Sequence, residues 1–171
     1  MTPAQTNLLA TLHDLDGHVN KPPFMKRSRY QFVIDHGHWY EPTPLPNHLP
    51  RGDDHECFLN ALELASDKNE LFYVEGFAIY TPTSLPVHHA WVSTGDGQAL
   101  DPTWDVTGVA YAGIPFKLAF LLTTVLTAKG IHSILDDFQD NWPILGELGN
   151  RPDEWFERRG VGVGRVCKPP R

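Results

Sequence analysis

Cysteine is scarce in this chain: 171 residues hold two, Cys57 and Cys167. That number excludes a disulfide scaffold and a four-thiolate zinc site. Cations are in deficit as well. Lys and Arg number 14 against 21 Asp and Glu, a formal charge of −7, which argues against nucleic acid as the main partner. No long apolar run is present. The most apolar stretch, residues 116–126, is broken by Lys117, Thr123 and Thr124 and is too short to span a bilayer. The first residues, MTPAQTNLLATLHD, lack the cationic start and apolar stretch of a secretory signal. The expectation is therefore a cytoplasmic protein with reduced thiols and no membrane partner. No fixed-period repeat and no low-complexity tract occurs.

What remains is globular in composition, with 41% apolar and 20% charged residues. The length suits one domain over 1–171, with a core near 53–105. The Gly- and Pro-rich end, 160–171, reads as a loose tail. Thr2 and Pro3 suit the start of a helix over 3–15, with Leu8, Leu12 and Leu15 on one stripe. Lys21, Lys26, Arg27 and Arg29 form a basic cluster, which reads more simply as solvated loop than as an anion site. Residues 29–34 and 38–41 read as strands, followed by a Pro-rich loop from 42 to 52. A helix is predicted over 54–68, with Asp53 and Glu56 at capping-box spacing. Its narrow polar stripe marks it as mostly buried. Strands are predicted over 71–81, 87–94, 98–101 and 106–112. Pro115 opens a helix to 129 with Gly130 as its cap, and shorter helical pieces are predicted over 131–138 and 152–159. One Cys-bearing helix followed by antiparallel strands, with additional helices, is an α+β pattern.

Three residues carry chemistry. Cys57 falls in the first turn of the buried helix, where unpaired N–H groups and the helix dipole favour a thiolate. Asp53, Asp54 and Glu56 oppose that, so a cationic partner is required. His89 supplies one. Side chains alternate along a strand, so His89 shares a face with Trp91 and Ser93, while His88 lies on the other. If Gly95-Asp96-Gly97 is a three-residue loop, Thr94 pairs with Gln98 and Trp91 with Asp101. Asp101 then sits one diagonal step from His89. Cys57, His89 and Asp101 thus form a nucleophile, base and orienter set.

CFLNALELA, LFYVEGFAIY and HHAWVSTGDGQALDPTW together resemble the core of the transglutaminase-like superfamily. The matching positions are Cys57 on a helix, then Tyr73, Val74 and Gly76. His89, Ala90 and Trp91 follow, and Asp101, Pro102 and Thr103 close the set. The resemblance implies a papain-like fold, a Cys-bearing helix packed on an antiparallel sheet. It also implies acyl-transfer chemistry on a peptide, protein or small amide without a cofactor, as peptidase, amidase or transglutaminase. Nothing resembles the calcium sites of animal transglutaminases. The side chain that helps bind the oxyanion is open among Gln31, Trp39, Asn47 and His48. Trp91 and Trp104 are candidate substrate-binding residues, or core. His88 reads as satisfied or solvent-facing, and Asp136, Asp137 and Asp140 as a solvated helix face. The alternatives are a non-catalytic binding module and a metal site of His55, Cys57, His89 and Asp101. No His-Glu-x-x-His helix or Cys-x-x-Cys pair supports the metal site, so none is expected.

Overall fold

The computed structural model describes residues 1–127 and 132–167. Among them it is α+β, with helices α1 (Pro3–His18), α2 (Arg29–His36), α3 (Cys57–Asp67), α4 (Leu118–Thr127) and α5 (Pro152–Trp155). The strands are β1 (His38–Thr43), β2 (Phe72–Ile79), β3 (Val87–Ser93), β4 (Gln98–Leu100), β5 (Ala110–Pro115) and β6 (Gly164–Arg165). The sheet order is β4-β3-β2-β5-β1-β6, and an additional parallel pairing of β1 with β4 closes five strands into a barrel. No helix among the described residues is long and apolar enough to cross a membrane.

Alternation along each strand divides the core in two. Tyr73, Phe77, Ala90, Val92, Ala112 and Ile114 point outward and pack with Leu8, Leu12, Phe32, Ala61 and Ala65 of the helices. Tyr40, Val74, Ala78, Trp91, Ala99 and Tyr111 point inward and fill the barrel. Gly113 is required there: a Cβ at that position would meet the Trp91 ring at 2.6 Å. Helix α3 lies against β3 and β2, while α1 and α2 pack on each other and on β5.

Local signals place several elements as expected. Thr2 caps α1 in a full capping box with Gln5. The β3–β4 hairpin turns at 95–97, with Thr94 and Gln98 joined by a backbone hydrogen bond of 3.2 Å and Gly97 at φ +85. That left-handed position is one that glycine occupies without strain. The register pairs Val92 with Leu100 and Ser93 with Ala99.

Other expectations fail for physical reasons. Residues 29–34 form helix, not strand. The Ser28 hydroxyl accepts the Gln31 N–H, and the short run Phe32, Val33 and Ile34 is buried whole; a run so short has no period to separate helix from strand. Helix α3 begins at Cys57 rather than 54, because His55 takes φ 68 and Glu56 caps without its side chain. Asp53 does not cap it; the Asn60 side chain instead grips the Asp53 backbone at 2.8 and 3.2 Å. Strand β5 starts later than predicted and runs through Pro115, with Phe116 N–H still bonded to Tyr73, so α4 opens at Leu118. The predicted end of that helix, 129 with Gly130, lies outside the described residues. Residues 132–138 are turns, and Asp137 is buried rather than solvated. The expected loose tail is docked: β6 pairs with β1, Val166 is buried, and Gly160 carbonyl accepts from Tyr40 and Ser93. Residues 168–171 lie outside the described part.

Candidate active site

Helix α3, the start of β3 and the segment after β4 converge on a cleft of about 560 Å³. It is lined by Cys57, His88, His89 and Trp104, with Tyr80 and Asp105 at its side. Cys57 is the first residue of α3, so its backbone lies among the helix's unpaired N–H groups. Cys57 and Cys167 are both free thiols, the first buried and the second exposed.

His89 and Asp101 are brought together as the hairpin register requires. His89 Nε2 and Asp101 Oδ2 are 2.7 Å apart. The same carboxylate oxygen accepts the Tyr111 hydroxyl at 3.0 Å, and Oδ1 accepts the backbone N–H groups of Thr103 and Trp104 at 2.9 and 3.1 Å. Burial alone would raise the Asp101 pKa, yet these bonds, His89 first, hold it below the ordinary range. Burial likewise pushes His89 down, but hydrogen bonds to Asp101 and Cys57 outweigh it and leave the ring at about 9. With Nε2 on Asp101, the other ring nitrogen is left for the sulfur. The Trp104 ring stacks on His89 at 4.1 Å and 12° and shields that face from water. His89 thus sits in the cleft with Cys57, its ring held by the Asp101 carboxylate.

Trp91 does not reach the cleft. It is fully buried, edge-on to Tyr40 and Tyr111 at 5.7 and 5.0 Å. The face it shares with His89 points into the closed barrel, so only the residue nearest the mouth, His89, meets the cleft. Gln31, Trp39, Asn47 and His48 are also away from it: Gln31 bonds Asp35 on α2, Trp39 is core, and Asn47 and His48 are exposed in a loop. The basic cluster is neutralised by acids, Lys21 by Asp16, Lys26 by Glu147, Arg27 by Asp35 and Arg29 by Asp136. Among the described residues, no group of three or more His, Cys, Asp or Glu is placed to hold a metal ion.

Three supporting residues escaped the sequence reading. Tyr111 lies in the strand predicted over 106–112, where no local pattern marks its hydroxyl as a partner of Asp101. Asn60 lay on the polar stripe of α3, but it is buried and joins that helix to Thr103 Oγ1 at 2.9 Å. Glu75 did carry a signal: a lone carboxylate in a strand apolar on both faces must have partners.

No protein-family model, no curated protein and no solved structure matches the chain.

Proposed function

We propose that the protein is a cysteine-dependent acyl-transfer enzyme of transglutaminase-like, papain-like architecture. It cleaves a peptide, isopeptide or amide bond through a thioester on Cys57. The observation that carries this reading is the position of His89, bonded to Asp101 at 2.7 Å and lining one cleft with Cys57. Cys57 attacks the carbonyl carbon, His89 protonates the departing amine, and Asp101 keeps the ring oriented and its cation balanced. The N–H groups at the start of α3 are donors for the developing oxyanion.

Limiting iodoacetamide tests the pairing. Wild-type Cys57 is expected to alkylate near neutral pH far faster than Cys57 in a His89→Ala variant, with peptide mapping to separate it from Cys167. Equal rates in the two proteins would remove His89 as the activating group and with it this function.

A further inference from the structure

The cleft that holds Cys57 and His89 carries fixed charge of one sign. Asp54 and Asp105 line it, and none of its lining residues is Lys or Arg. The two histidines of β3 on its wall do not offset these acids, because each already has a buried carboxylate of its own. His89 Nε2 is 2.7 Å from Asp101, and His88 Nε2 is 3.0 Å from Glu75. Asp54 makes no ion pair or hydrogen bond through its side chain among the described residues. Arg51 acts on Asp105 from the neighbouring cleft that it lines with Asp101 and Trp104, and its guanidinium donates to the Thr103 carbonyl at 3.4 Å. One cation against two carboxylates leaves the mouth net negative.

The same acids border an aromatic wall. The Tyr80 ring stands edge-on to Trp104 at 5.0 Å and 75°, and Trp104 stacks on His89 at 4.1 Å. The Tyr80 hydroxyl donates to Asp105, which fixes that carboxylate at the edge of the wall. That bond first, with the charge of Asp54 added to it, holds the Tyr80 phenol above its ordinary pKa. Val87, 45% exposed, lines the cleft as well. A side chain with an apolar stem and a cationic head matches each part of this surface: the stem lies on apolar groups, and the head meets aromatic rings and carboxylates.

We propose that the acyl part of the substrate carries a positively charged side chain, lysine or arginine, next to the scissile carbonyl. Asp105 and Asp54, with the Tyr80 and Trp104 rings, select it. The acyl part is the one concerned because it stays on Cys57 after the amine has left, so the cleft holds it through both steps. This inference rests on the acyl-transfer reading above and names the substrate class of that site.

The test compares the N-benzyloxycarbonyl p-nitrophenyl esters of lysine, norleucine and glutamate with the full-length protein. Norleucine keeps the lysine stem and lacks its ammonium. The sulfur of Cys57 bonds to the ester carbonyl carbon as nitrophenolate leaves, so both the released nitrophenolate and the acyl mass on Cys57 are read. Wild type is expected to prefer lysine to norleucine by about tenfold, the combined scale of exposed charge contacts and a cation–π contact, with glutamate slowest. In Asp105→Asn the lysine-to-norleucine ratio is expected to fall about threefold, and in Asp54→Asn/Asp105→Asn to approach one. The ratio is taken within each protein, so a loss of folded enzyme cancels. Raising salt to 0.5 M should narrow the wild-type ratio, as expected for exposed charges. A wild-type ratio near one, a preference for glutamate, or a ratio that the double variant leaves unchanged overturns the inference, while acyl on Cys57 leaves the acyl-transfer reading standing. Absence of acyl on Cys57 from all three esters overturns both.

Discussion

Replacing Asp101 by Asn removes the charge that balances the His89 cation while keeping side-chain size. In the folded protein His89 titrates at about 9, against about 6.5 in an unfolded chain. The gap corresponds to about 3 kcal/mol of folding stability. The sign follows from proton binding. Below pH 6.5 the ring is protonated in both states and the contribution is fully present. Above 6.5 the unfolded ring deprotonates while the folded one does not, so stability falls until pH passes 9. The depressed pKa of Asp101 is the same interaction seen from the other partner and is not added to it. Urea unfolding of wild type and Asp101→Asn should therefore be compared between pH 5.5 and 9.5. Wild type is expected to lose about 3 kcal/mol across that window, and the variant is expected to lose much less. The variant also loses a charged acceptor for Tyr111 and two backbone N–H groups, a roughly constant offset that does not change with pH in this window. Parallel curves for the two proteins would refute the pairing, because no differential proton binding would then reside in the His89–Asp101 contact.

Two further outcomes follow from the same physics. Tyr111→Phe deletes one hydrogen bond to the Asp101 carboxylate, worth about 1.5–3 kcal/mol for a charged acceptor, and is expected to lower Cys57 alkylation by at least tenfold at pH 7; an unchanged rate would show that the other three donors hold Asp101 alone. His38 is buried with Nδ1 unpartnered, and burial first, then Arg165, pulls it down to about 4. It protonates in the unfolded chain near 6.5 but in the fold only near 4, so the protein is expected to lose stability as pH falls through that interval. His38→Phe should flatten this acid limb in denaturant titrations, and an identical limb would place the acid sensitivity elsewhere.

Much of the candidate site was legible in the sequence because it depends on local geometry. Gly97 at the third loop position sets the hairpin register, and strand alternation then assigns Asp101 and His89 to one side. The apolar pattern of 57–65 makes a buried helix with its cysteine at the start, although the exact first residue came from His55 in a left-handed conformation. Tertiary structure decided what those local rules leave open. Alternation sorts residues into two faces but does not say which one is enclosed. Closure of β1 onto β4 makes the Trp91 face an interior, which decides between the cleft and core readings of Trp91 in favour of core. Residues 29–34 have a composition that suits either state, and a cap from Ser28 with packing against α1 settled them as helix. Ser133, Ile134 and Leu135, which donate to Glu75, lie 58 to 60 residues further along the chain, and Tyr40 and Ser93 find the Gly160 carbonyl across 120 and 67 residues. Contacts of that span leave no periodic trace in a sequence, because their geometry exists only once the barrel has closed.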